Sequence, residues 1–246
     1  MIEEMYMMKM SFNKNLDRVS MQIQNTLEQM QELGYILYYN IPKCEKYGGK
    51  EILTWNNHIG GREVSSKYFL RVKQYMKILS DNAFLAILSD YSLVRCSFVF
   101  VDNKIISENL LWWPCPIQID SNMVEEFGLL ETIEMILEDK EVEKYIRMRS
   151  PIRMDFDVEN DTEEHPGAHL HMEHEECRIN TDEPICFNRF INYIIKSFYP
   201  GWKVEFKEYD YINFKYDKPK HKITYNNRTK ILVQIFKHCK INQHLN

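Results

Sequence analysis

The chain has 246 residues, 44% hydrophobic and 27% charged, a length that fits one large domain or two packed lobes and a composition that excludes a disordered chain. Its formal net charge of −5 excludes the strongly basic face that extensive duplex binding needs, while a small nucleic-acid substrate stays open. No apolar run reaches the roughly 18 residues of a membrane span, the start MIEEMYMMKM is acidic where a secretory signal is basic, and six scattered cysteines without a CxxC pair read as free thiols, so a cytoplasmic location is expected.

Over 21–33 the apolar residues Ile23, Leu27, Met30 and Leu33 recur at helical spacing, and Gly34 suits the helix end. Residues 35–40 read as a short strand, Pro42 and Gly48-Gly49 as a loop, and 51–55 as a second strand ended by Gly60-Gly61. Phe69, Val72, Tyr75, Met76 and Leu79 predict a helix over 66–80, whereas 83–90 is apolar but too short for periodicity to choose helix or strand. Strand-like flanks at 93–101 and 104–113 enclose Asp102-Asn103, two residues that tolerate turn conformations, which predicts a β-hairpin ending at Pro114. A helix is predicted over 123–138, its acidic faces reading as solvated surface. There follow a strand at 152–158, a polar loop, a strand at 168–173, a helix at 187–198, an alternating strand at 203–214 and a terminal helix at 228–238. Mixed elements without regular βαβ alternation point to α+β, with a mixed, largely antiparallel sheet and helices packed on it. A soft boundary near 140–149 separates a helix and hairpin lobe, 1–145, from a motif-bearing lobe, 146–246.

The chemistry concentrates in 153–178. Of eight histidines, His165, His169, His171 and His174 fall within ten residues. On a strand, His169 and His171 point to one face, and the same rule groups Arg153, Asp155 and Asp157. Asn160, Asp161, Pro166 and Gly167 in the connection allow an antiparallel hairpin that sets these positions opposite one another. That inventory suits acid/base catalysis or a divalent metal. His169, His171 and Asp155 make a two-histidine, one-carboxylate set suited to zinc, manganese or iron. Without a metal, one imidazole takes a proton and the other donates one while Arg153 or Arg178 stabilises charge on a phosphoryl oxygen, which is all that RNA cleavage through its own 2′-hydroxyl needs. The same residues also fit a plain role, with Arg153, Asp155 and Asp157 as an ion-pair network and the histidines on the surface of a hairpin. His58 and Trp112-Trp113 read as turn and core features.

The strings RMDFD and HPGAHLH, then CRI and a helix ending in FYP, resemble a bacterial family, domain of unknown function 2290, most clearly over 151–200. The matching positions are Arg153, Asp155, Asp157, His165, Pro166, His169, His171, Cys177, Arg178, Ile179, Phe198, Tyr199 and Pro200. The resemblance implies a bacterial origin and no assigned activity. A local likeness exists to TumE-type toxins of toxin–antitoxin pairs, which also place an Arg-x-Asp strand ahead of a His-Pro and paired histidines. This chain is far longer and has an acidic-rich connection at 158–164.

Two functions follow as expectations. The first is an enzyme, a phosphodiesterase or ribonuclease-like effector of a bacterial defence or toxin–antitoxin system, acting on RNA or another small phosphate-containing substrate. Its catalytic residues are His169, His171, Asp155, Arg153 and Arg178, with zinc or manganese on His169, His171 and Asp155 as the metal-dependent version. The second is a non-catalytic subunit that binds a partner protein through an aromatic, acidic surface. In either case Arg153, Asp155 and His169 are expected on a common face, with accessible imidazoles that add little to folding. The helix at 187–198 is expected to pack on the sheet through Ile191, Ile194, Ile195 and Phe198.

Overall fold

A computed structural model describes residues 14–58, 72–172 and 178–222. In chain order they form helix α1 (Lys14–Glu32), strands β1 (Ile36–Tyr39), β2 (Lys43–Tyr47) and β3 (Lys50–Thr54), helix α2 (Val72–Ser80), and strands β4 (Ala86–Leu88), β5 (Leu93–Val101) and β6 (Lys104–Trp113). Helices α3 (Ser121–Phe127) and α4 (Leu129–Glu138), strands β7 (Ile152–Asp157), β8 (Ala168–Met172) and β9 (Arg178–Asn180), and helix α5 (Phe187–Phe198) complete them. The strands pair antiparallel in the order β1-β4-β5-β6-β7-β8-β9, and β3, carrying β2, pairs with the second half of β5. The fold is therefore α+β with one largely antiparallel nine-stranded sheet among the described residues.

The central hairpin is the one the sequence predicts. β5 and β6 pair from Leu93↔Trp113 to Val101↔Lys104, and Asp102 (φ 47°) and Asn103 (φ 64°) take the left-handed conformations that a two-residue turn demands. Gly34 (φ 74°) ends α1 as expected, because Tyr35 N–H reaches Met30 carbonyl at 2.9 Å and Gly34 N–H reaches Gln31 carbonyl at 2.9 Å, satisfying carbonyls the helix end would orphan. The segment at 83–90 resolves into the short strand β4.

Several expectations need correction. Helix α1 begins at Lys14, seven residues before its predicted start at Met21, and Leu16 and Val19 extend the buried face. The predicted loop around Gly48-Gly49 is the turn of a β2–β3 hairpin, which the sequence hid because β2 is polar on both faces. The predicted helix at 123–138 breaks at Gly128 (φ 83°) into α3 and α4. The predicted strand at 203–214 is not one. Val204, Phe206, Ile212 and Phe214 turn inward by alternation, but the chain runs along the outside of the core without a ladder and makes a 3-10 turn at Glu208–Asp210. Residues 66–71 and 228–238, predicted to be helical, lie outside the described residues, as do His174 and Cys177.

The two sheet faces do different work. On one, Phe98, Leu110, Met154, Phe156 and Leu170 meet α1 and α5 in the larger core. Ile191, Ile194 and Ile195 of α5 are buried there, each contributing about 1.5–3 kcal/mol. Phe198 stays 38% exposed yet stacks on Trp112 at 4.4 Å between ring centres. On the other face, Leu93, Leu111 and Trp113 pack with α2 and α4 into a second core. Beyond it, towards β9, that second face turns polar. Cys44, Cys96, Cys115 and Cys186 are free thiols, and no helix among the described residues is long and apolar enough to cross a membrane.

Candidate active site

Strand alternation and register assemble the polar face. β7 pairs Arg153 with His171 and Asp155 with His169 on β8, which in turn pairs His171 with Arg178 and His169 with Asn180 on β9. In the other direction Asp155 faces Asn109 and Arg153 faces Leu111 on β6, while Leu111 faces Arg95 on β5. Two rows of side chains thus cross the sheet: Asn109, Asp155, His169 and Asn180 in one, and Arg95, Leu111, Arg153, His171 and Arg178 in the other.

Within these rows three atoms converge. His169 Nε2 lies 2.8 Å from His171 Nε2, and the two stand 3.6 Å and 3.2 Å from Asp155 Oδ2. Asp155 Oδ2 also accepts from Arg153 Nη2 at 2.6 Å, and Oδ1 accepts from Asn109 Nδ2 at 2.6 Å. His169 Nδ1 donates to the Pro166 carbonyl at 2.7 Å, which fixes its tautomer and leaves Nε2 with a free lone pair. One proton, on His171 Nε2, then sits between the two rings. The edge of His165 packs against the His169 ring at 4.9 Å between centres.

The loop between β7 and β8 holds that carbonyl in place. Asp161 Oδ1 accepts from Gly167 N–H at 2.8 Å, and Asp161 Oδ2 accepts from the backbone N–H groups of Lys220 (2.6 Å) and His221 (3.2 Å). Burial alone would raise the Asp161 carboxyl, but these donors hold it below its ordinary value. A side chain at Gly167 would put its Cβ 2.8 Å from the Asp157 carbonyl, so only glycine admits this close approach.

The electrostatics follow from burial and neighbours. Burial pushes Asp155 up, yet the Arg153 guanidinium and the histidines outweigh it and hold the carboxylate well below its usual range. Burial pulls His169 down to about 4 against the opposing pull of Asp155, and lowers His171 with help from Arg153 and Arg178. Both imidazoles are therefore neutral near pH 7, so His169 Nε2 offers its lone pair as it stands and His171 Nε2 would do so once its proton moves to Nδ1.

Of the residues singled out from sequence, Arg153, Asp155, His169 and His171 come together, and Arg178 flanks His171 from β9. Asp157 does not join them; its carboxylate caps the loop through Glu159 and Asn160 N–H groups, both at 3.1 Å. The expectation of accessible imidazoles is overturned, since His169 is 0% and His171 4% exposed. Asn109, the Pro166 carbonyl and Arg95 escaped sequence reasoning, because only the order β5-β6-β7 brings the predicted hairpin beside the Arg153 strand.

Chemically, two imidazole nitrogens and one carboxylate oxygen with mutual distances of 2.8–3.6 Å suit a divalent cation. Bonds of about 2.0–2.2 Å to such an ion place neighbouring ligand atoms roughly 3.0–3.5 Å apart. The Pro166 carbonyl on His169 and Asn109 on Asp155 orient these ligands as outer partners do in metal sites.

No curated protein and no solved structure matches the chain. The model of the family described as Uncharacterized conserved protein (DUF2290) matches residues 33–235, a span that contains every site residue above. By that match over most of its length, the chain belongs to the DUF2290 family.

Proposed function

We propose that the His169–His171–Asp155 cluster holds a divalent cation, zinc or manganese, and that the protein is a phosphoester hydrolase with RNA as its expected substrate. The observation that supports this is the buried convergence of His169 Nε2, His171 Nε2 and Asp155 Oδ2 from two adjacent strands, with the His169 tautomer set by Pro166. Bound there, a cation supplies a polarised water and a counter-charge for the phosphoryl oxygens. In such a hydrolysis the water oxygen would bond to phosphorus as the ester P–O bond breaks, with one water proton passing to the departing oxygen.

The arginines bear on the substrate's charge. Among the described residues Arg95, Arg153 and Arg178 share one row across the sheet, and Asp155 stands in the row beside it. An anionic substrate suits this row of guanidiniums. This favours a phosphate ester over a neutral amide or glycoside.

The test is cleavage of RNA and of a chromogenic phosphodiester by wild type and His169→Asn, with and without chelation and re-addition of zinc or manganese. Activity that a chelator abolishes, that metal restores, and that falls about 100-fold or more in the variant is the expected result. Retained activity in the variant, or none in metal-loaded wild type, speaks for the partner-binding subunit instead.

A further inference from the structure

We infer that Arg95, stacked on Trp55, forms with Arg153 an anion subsite that takes the phosphate group of the substrate beside the histidine cluster; this deepens the reading above and rests on it for the identity of the reaction. Arg95 is 4% exposed, and its guanidinium lies 3.8 Å above the centre of the Trp55 ring. Among the described residues it forms no ion pair, and its Nε is buried without a hydrogen-bond partner. The described carboxylates nearest it in the sheet are committed elsewhere. Asp155 is engaged by Arg153 and Asn109, and Glu108 points to the opposite face, where Ile185 N–H meets it at 3.3 Å.

Burying an unpaired charge costs more than a desolvated stack on tryptophan returns. A bound anion would compensate that charge on Arg95. Burial and the like charge of Arg153 lower its affinity for its proton, to a pKa of about 9, which records the same strain. Arg95 and Arg153 flank Leu111 in one row across the sheet. Two strand spacings put their backbones about 9–10 Å apart, a gap that two arginine side chains span to meet on one phosphate. Leu111, a buried member of the second core, lies between them in the row. The planar guanidinium fork matches phosphate oxygens in pairs, and Trp55 beneath it fixes the plane of the fork.

The experiment is calorimetric titration of inorganic phosphate, at constant ionic strength, into the full chain and into Arg95→Met, with melting temperature and bound zinc or manganese measured on the same samples. Wild type should bind phosphate, and Arg95→Met should bind it at least about tenfold more weakly. Without phosphate the variant should melt no lower than wild type, because methionine removes the uncompensated charge and keeps the stacking volume. An Arg95→Met protein that binds phosphate as tightly as wild type overturns the subsite, as does a wild type that binds none or a variant that melts far lower or fails to fold. Arg95-dependent phosphate binding in a chain that takes up no metal upholds the subsite and overturns the metal reading of the cluster.

Discussion

Two carboxyls a strand apart show how a single position decides charge. Asp155 faces the polar rows and is held ionised by Arg153, whereas Glu108, on β6, faces Cys96 and the larger core, where burial raises it well above the ordinary carboxylate range. Glu108 Oε1 meets Ile185 N–H at 3.3 Å, and Oε2 is buried without a partner. Because its folded pKa lies above the unfolded value of about 4.3, protonated Glu108 costs the fold nothing below that value. Stability is then lost as pH rises towards the folded pKa, at up to about 1.4 kcal/mol per pH unit. Glu108→Gln keeps the contact with Ile185 and removes the titration. Melts from pH 4 to 8 should show the variant gaining on wild type as pH rises. A constant difference across that range would contradict the assignment.

At this scale the site was half legible. Strand parity alone grouped Arg153 with Asp155 and His169 with His171, and the structure brings all four within contact. Arg95 and Asn109 carried no local signal, since Arg95 lies between Val94 and Cys96 and Asn109 between Glu108 and Leu110, contexts that mark no site. Their importance depends on which strand β6 pairs with, a long-range fact that periodicity does not encode.

Among the elements, α5 ties the site's sheet to the rest of the molecule. Ile191, Ile194 and Ile195 enter the larger core, and the residues that follow anchor the helix end. Tyr199 hydroxyl receives Trp112 Nε1–H at 3.1 Å and lies 3.1 Å from the Asp90 carboxylate, which Arg149 pairs at 2.9 Å. The Phe198 and Tyr199 signature is thus an anchoring device, remote from the histidines. Ile194, at 1% exposure, should cost about 2–5 kcal/mol on truncation to alanine, read as a fall in the urea midpoint without loss of far-UV signal in the native state. A near-neutral Ile194→Ala would sink the packing of α5 on this face. Elements with strong periods, such as α1, α5 and the β5–β6 hairpin, were legible. The failures have separate physical causes: β2 is an edge strand polar on both faces, Gly128 interrupts an otherwise continuous apolar pattern, and 203–214 alternates because it runs along the outside of a core rather than because it joins a ladder.

For the whole molecule, the sheet separates stability from chemistry. One face and one end of the other carry the two cores, and the remaining polar face holds three guanidiniums, two neutral imidazoles and one carboxylate in register. Burial of both imidazoles means that alanine substitutions there disturb packing as well as chemistry, so asparagine, which preserves the donor at the Nδ1 position of His169, separates the two effects more cleanly. Metal stoichiometry on equilibrated, full-length protein therefore tests the central claim most directly. Wild type dialysed against zinc or manganese should retain one equivalent, and His169→Asn and His171→Asn, folded by circular dichroism, should each retain far less. A wild type that retains no metal, or variants that retain as much as wild type, would contradict it.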